Sequence, residues 1–290
     1  MLSSVPSVIL KQLEESVSSN PTDFSFCGGG CINHGGRLKT RTGDLFLKWN
    51  DAAKFPGMFI AEAKGLKLLR NAGDIYIPEV ITEGVAGSLQ FLVLEFVEEH
   101  PQAGTYWTDL GQQLANLHKH TAPTYGLDHA NYIGSLPQQN TRTEKWTDFF
   151  ITQRLEAQVK LALDRGKINV DTVMLFSILY NKLGDLLPEE KPCLLHGDLW
   201  SGNLITNDKG RPCLIDPAVY YGHREAEIAF TTLFGGFSDE FYNSYHEAFA
   251  LAPGYAERFD IYNLYPLMVH VNLFGGGYVS QVVSILRQWV

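Results

Sequence analysis

The sequence predicts an α+β fold in two lobes, a small β-rich lobe followed by a larger, mainly helical one. Short strand-like runs dominate before residue 98, helical spacing dominates after it, and one strongly apolar run joins the two parts. The expected division is 1–97 and 98–290, with ligands bound in the cleft between the lobes.

In the first lobe, residues 44–50 (Asp-Leu-Phe-Leu-Lys-Trp-Asn) alternate as a strand does. Leu45, Leu47 and Trp49 share one face; Phe46, Lys48 and Asn50 share the other. Residues 58–70 read as a helix with Phe59, Ala63 and Leu66 along one stripe and Glu62 beside it, ended by Gly73. Strands are expected over 77–82 and 89–97, the second apolar enough to lie inside a sheet. Upstream, the glycine cluster Gly28, Gly29, Gly30 reads as a turn between the first two strands.

In the second lobe, Trp107, Leu110, Leu114 and Leu117 recur at helical spacing within 105–120, and further helices are expected over 143–164 and 170–187. Three short extended pieces, 193–195, 204–206 and 213–215, interrupt them, the last two joined by an Asn207-Asp208-Lys209-Gly210 turn. Helices resume near Arg224.

The chemistry concentrates in those interruptions. Asp198 opens a D-x-x-x-x-N spacing that closes on Asn203, and Asp216 follows eighteen residues after Asp198. Phosphoryl transfer needs a carboxylate where a hydroxyl loses its proton, and hard oxygen ligands where magnesium sits on a triphosphate. Asp198 is therefore the candidate base, with Asn203 and Asp216 the candidate metal ligands. A lone loop aspartate would more simply cap a turn; three such residues in register favour the functional reading. Lys48, aimed by Glu62 fourteen residues later, is the candidate contact to the α and β phosphates, since its place in an apolar strand argues against a solvated surface pair. The Gly28–Gly30 turn would cover the phosphates with backbone amides, and Glu95, Phe96 and Val97 would offer backbone groups to an adenine ring. His196 reads as a residue holding the loop rather than moving a proton.

Composition agrees and excludes other classes. The 290-residue chain is 45% hydrophobic and 12% aromatic, with 23 basic and 32 acidic side chains, a net charge of −9. That balance, without clustered Lys and Arg, disfavours nucleic acid as a partner. No basic amphipathic helix, no apolar run of about 20 residues and no basic leader appear, so no membrane partner and a cytoplasmic location are expected. Cys27, Cys31, Cys193 and Cys213 lack zinc spacing, and the last two read as small buried hydrophobes.

The string His196-Gly197-Asp198-Leu199-Trp200-Ser201-Gly202-Asn203, with Ile215-Asp216-Pro217-Ala218-Val219-Tyr220-Tyr221-Gly222, Leu233-Phe234-Gly235-Gly236-Phe237 and Asn272-Leu273-Phe274-Gly275-Gly276-Gly277-Tyr278, closely resembles the fructosamine kinases, or ketosamine-3-kinases. The likeness runs from the glycine cluster almost to the carboxyl terminus, and Trp200 separates it from aminoglycoside and choline kinases that share the shorter motif. It implies a protein-kinase-like fold of the aminoglycoside phosphotransferase type. It also implies ATP- and Mg2+-dependent phosphorylation of the sugar 3-hydroxyl of ketoamines, free or protein-bound, in deglycation repair. Asp198 matches the family's proton acceptor, Lys48 its nucleotide lysine, and Glu95 to Val97 its adenine-binding segment; Trp200 and Tyr220 become candidates for the substrate wall. A redox-sensitive cysteine in the phosphate-covering turn would fall on Cys31 or Cys27.

The chain departs from protein kinases in having Gly197 before the base and Pro217-Ala218 after the metal aspartate, with no A-P-E motif. Control through a phosphorylated activation loop is therefore not expected, and a small substrate is. An aminoglycoside, choline or homoserine kinase is the alternative enzyme, and a non-catalytic nucleotide-binding protein the alternative from another class. Nothing in the sequence sets the preferred sugar or the oligomeric state.

Overall fold

Antiparallel pairing organises the amino-terminal part of the chain. A computed structural model describes residues 1–16, 20–27 and 33–290. Strands β1 (Pro21–Phe26), β2 (His34–Thr40), β3 (Asp44–Asp51), β4 (Val80–Ala86) and β5 (Leu89–Glu95) form one sheet in the order β1-β2-β3-β5-β4. β5 pairs on both sides, as its apolar run requires, and Lys48 stands opposite Leu92 in the β3–β5 ladder. The alternation in β3 is realised. Leu47 and Trp49 join Phe24, Leu38, Phe91 and Val93 in a core on one face, which leaves Lys48 to the other.

Helix α2 (Met58–Ala72) ends at Gly73 in the left-handed conformation (φ 80°), as expected of a glycine at that boundary. Helix α1 (Ser7–Ser16) was not expected from the sequence. Val5, Ile9 and Leu13 recur every four residues and are buried in the sheet core, and Pro6 stands just before the first turn, where its missing N–H costs nothing. β4 starts three residues later than the predicted 77 because Pro78 has no N–H for a ladder.

The chain groups into two compact units, Met1–Tyr106 with Leu204–Pro217, and Trp107–Asn203 with Ala218–Val290, rather than dividing once after residue 97. Strands β9 (Leu204–Thr206) and β10 (Pro212–Leu214), joined by the predicted turn, belong to the first unit. There Leu214 N–H donates to Tyr76 O at 3.1 Å.

The second unit is mainly helical: α3 (Tyr106–Leu117), α4 (Trp146–Phe149), a π-helical stretch (Phe150–Leu155), α5 (Glu156–Asp164), α6 (Val170–Tyr180), α7 (Leu183–Leu186), α8 (Arg224–Thr231), α9 (Asp239–Ala248), α10 (Tyr255–Phe274) and α11 (Tyr278–Trp289). The helix expected over 170–187 is two helices, broken at Asn181-Lys182, where Lys182 N–H turns back to Leu179 O. An unpredicted hairpin, β6 (Asn131–Ile133) and β7 (Leu136–Gln138), turns on Gly134-Ser135, a pair whose glycine takes φ 56°. β8 (Cys193–Leu195) pairs antiparallel with β11 (Tyr220–Gly222) and positions the loop that follows it. No helix among the described residues is long and apolar enough to cross a membrane.

Candidate active site

Within the first unit, Lys48, Glu62 and Asp216 come together. Lys48 is 4% exposed, and its Nζ lies 2.7 Å from Asp216 Oδ1 and in ion-pair contact with Glu62 Oε1. Burial works against the Lys48 charge, but the carboxylates of Asp216 and Glu62 outweigh it and hold the ammonium above the ordinary lysine range. Burial likewise pushes Glu62 up to about 7, although Lys48 pulls it back. Asp216 follows β10 in a left-handed conformation (φ 53°), which an aspartate tolerates better than most side chains, and it is 53% exposed.

The other nucleotide candidates are in the same unit. Gly28, Gly29, Gly30 and Cys31 lie outside the described residues. Up to their edge the strands stay paired, with Cys27 N–H donating to Gly35 O at 3.2 Å. Gly36 is obligatory there, because a Cβ would stand 2.2 Å from Ser25 O. Glu95 ends β5, accepting from Tyr76 Oη–H and from Glu79 N–H. Phe96 lies beyond the ladder under the Arg37 guanidinium, 4.7 Å from the ring centroid, and Val97 follows it half-buried.

In the second unit, Asp198 and Asn203 meet. Asn203 Nδ2 donates to Asp198 O at 2.7 Å and to Asp198 Oδ2 at 3.0 Å. With its amide nitrogen committed, Asn203 turns its hard Oδ1 into the atom available to a cation. In the first unit, Asp216 offers a carboxylate; each residue by itself presents the kind of hard oxygen that magnesium takes. No group of three or more His, Cys, Asp or Glu side chains placed to hold a metal is present among the described residues.

The loop before Asp198 is fastened from behind by a residue that sequence reasoning missed. Glu227 in α8 accepts from Gly197 N–H at 2.6 Å and His196 N–H at 3.1 Å, and takes a third bond from His118 Nε2 at 2.9 Å. Burial opposes its ionisation, yet the His118 bond, the nearby His196 and the Gly197 amide keep its pKa below the usual value. His118 Nδ1 in turn meets Tyr245 Oη at 2.7 Å. His196 Nδ1 accepts from Asp198 N–H at 3.3 Å, a bond that suits a loop-holding role. Gly197 takes φ 83°, and a Cβ on it would lie 2.1 Å from Ala218 O. The only hint of Glu227 in the sequence is its place in the charged run His223-Arg224-Glu225-Ala226-Glu227.

The two substrate-wall candidates differ. The Trp200 ring is half-buried and lies so close to Gly202 that a Cβ there would be 2.3 Å from Trp200 Cη2. Tyr220 is buried in the core, with Arg154 Cζ 4.0 Å from its ring centroid and Phe149 stacked at 5.6 Å. It therefore backs the loop instead of facing outward. Arg154, in the π-helical stretch, is itself fully buried and donates to Gln139 O at 2.6 Å and Asn140 Oδ1 at 2.7 Å.

Residues 2–290 match the model of the fructosamine kinase family. A Synechocystis sp. protein assigned as a ketoamine kinase is 41% identical over 90% of this chain and 88% of its own length. The chloroplastic protein-ribulosamine 3-kinase of Oryza sativa subsp. indica is 39% identical over 96% of this chain and 82% of its own. A crystal structure of a Thermobifida fusca protein assigned to the fructosamine-3-kinases superposes with a TM-score of 0.88 at 33% identity, covering 96% of this chain and 97% of that one. Aminoglycoside phosphotransferase APH(4)-Ia shares the fold at a TM-score of 0.61 and 17% identity, over 98% of this chain and 99% of that one. The expected kinase-like fold of the aminoglycoside phosphotransferase type is therefore present.

Proposed function

Because the chain belongs to the fructosamine kinase family, whose members are phosphotransferases acting on a hydroxyl, we propose that it moves the terminal phosphoryl group of ATP to the sugar 3-hydroxyl of a ketoamine, a fructosamine or ribulosamine adduct of an amine. The observation that carries the reading is the buried Lys48 ammonium held between Glu62 and Asp216. A lysine so fixed is a point charge aimed at phosphate oxygens.

Asp198 accepts the proton of the attacking hydroxyl as the new O–P bond forms and the bond to ADP breaks. Lys48 contacts the α and β phosphates, with Glu62 keeping it aimed. Asn203 and Asp216 would hold magnesium, which when bound would supply positive charge against the phosphates. Gly28, Gly29 and Gly30 cover the phosphates and the backbone of Glu95, Phe96 and Val97 meets the adenine. Trp200 forms the substrate wall and Tyr220 supports it from behind. The 3-phosphorylated adduct can lose inorganic phosphate by elimination, and water then hydrolyses the resulting imine to a dicarbonyl sugar and the free amine, so the reaction would serve deglycation.

The test is ATP consumption with and without magnesium, measured on fructose, ribulose and erythrulose adducts of lysine beside an aminocyclitol and choline. Magnesium-dependent turnover of a ketoamine alone is the expected result. Turnover confined to the aminocyclitol or choline would replace this reading with the other small-molecule kinase, and no turnover of any acceptor would leave a nucleotide-binding protein.

A further inference from the structure

The strings Leu233-Phe234-Gly235-Gly236-Phe237 and Asn272 to Tyr278 have no part in the chemistry above, yet the second unit brings them together beside the Asp198 loop. The Phe234 ring lies edge-on to Trp200 at 6.0 Å between centroids, and 4.6 Å from His270. His270 continues the row to Phe274 at 5.4 Å and Tyr278 at 5.1 Å.

Packing alone does not account for Phe234. Among the described residues only Asp216 and Phe234 combine a side chain with a left-handed backbone, φ 53° and 56°. For a bulky residue that conformation is a genuine outlier, of the sort kept at ligand sites. A core phenylalanine would recover the strain by burial, but Phe234 is 39% exposed and Phe274 is 63% exposed. The row is open to solvent and continuous with Trp200, two residues from the candidate base.

We infer that Phe234, with Trp200 and Phe274, is the subsite for the amine side of the ketoamine: its secondary ammonium and the alkyl stem of the lysine that carries it. The inference rests on the ketoamine reading. In such an adduct the nitrogen is attached two carbons from the one bearing the 3-hydroxyl, so the amine arm leaves the reacting centre directly onto whatever borders Asp198. Aromatic faces attract an ammonium and cover a methylene chain. His270 does not oppose this. Its Nδ1–H donates to Pro266 O at 2.8 Å, and burial lowers its pKa in spite of that bond, which disfavours a positive charge on the ring itself.

The test uses the full chain and one sugar on two amines, Nα-acetyl-lysine and methylamine, and reads the ratio of their kcat/KM values. Phe234→Gly removes the ring while suiting the left-handed backbone, so it is expected to fold with an unchanged or higher Tm. Phe234→Tyr keeps an aromatic face. Phe234→Gly should lower the lysine-to-methylamine ratio about tenfold, through the ketoamine KM and with the ATP KM unmoved, and Phe234→Tyr should restore most of it. A wild type that turns over both adducts with a ratio unmoved by Phe234→Gly overturns the inference alone. A wild type that phosphorylates neither overturns the ketoamine reading and the inference with it.

Discussion

Lys48 Nζ donates to Asp216 Oδ1 at 2.7 Å although 168 residues separate them, and the same nitrogen is paired with Glu62. The lysine is thus the buried counter-charge of two carboxylates, one proposed to aim it and one proposed to bind metal. Lys48→Met leaves both acids without it. Removing one partner of a buried ion pair costs about 3–5 kcal/mol; discounted for the half-exposed Asp216, about 3 kcal/mol is expected in urea unfolding, together with loss of ATP turnover. A variant with normal stability and turnover would remove Lys48 from the site.

Glu62 sets a pH dependence. Its pKa is raised from 4.5 to about 7, so the folded state holds a proton that the unfolded state has lost across that interval. The stability contributed by this group is fully present below about 4.5 and is lost as pH rises through about 7. Wild-type stability should therefore fall relative to Glu62→Gln from about pH 5 to pH 8. Over the same range the ionised Glu62 pairs better with Lys48, so the ATP KM should improve with pH in the wild type and stay flat in the variant. Parallel profiles for the two proteins would contradict both statements.

Glu227 touches none of the proposed reacting atoms; it positions the residues before Asp198. Glu227→Ala strands the buried N–H groups of His196 and Gly197 and the Nε2 of His118, each unsatisfied group costing about 1–3 kcal/mol. Glu227→Gln retains one acceptor oxygen and should recover part of the loss. Steady-state kinetics should show kcat falling about tenfold in Glu227→Gln while the ATP KM is kept, the pattern of a displaced base rather than a damaged nucleotide site.

Gly197→Ala asks the loop for space that it does not have, since the added Cβ would meet Ala218 O at 2.1 Å with φ at 83°. The expected loss is about 2 kcal/mol or more in thermal unfolding. Gly73→Ala is the control: it carries a similar φ of 80° but meets nothing within 4 Å, so it should cost about 1 kcal/mol. Equal losses would show that backbone conformation, not the close approach of Ala218, dominates at Gly197.

Much of the scaffold of the site was legible because its rules are local. Alternation through Leu47-Lys48-Trp49 set which face Lys48 leaves, a helical stripe put Glu62 beside Phe59 and Leu66, and Gly73 marked the end of α2. Long-range partnerships were not legible. Nothing near Glu227 in the chain says that its carboxylate will meet the amides of residues thirty positions earlier, and Arg154 gives no sign that it will be buried under Tyr220. The family resemblance made Tyr220 a candidate wall residue, but its pairing with Leu195 in the β8–β11 ladder turns it into the core. Helix α1 was not expected because Pro6 interrupts its short apolar run, although Val5, Ile9 and Leu13 have the spacing of a buried face.

Asp198, held by Asn203 at 2.7 and 3.0 Å, is the residue proposed to accept the proton of the acceptor hydroxyl. The decisive measurement is phosphate transfer from ATP to fructosyl-lysine by the wild type and Asp198→Asn, with nucleotide binding followed in parallel. The account predicts that kcat falls by about 10²–10⁴ while the affinity for ATP is retained. Undiminished transfer by Asp198→Asn would contradict it.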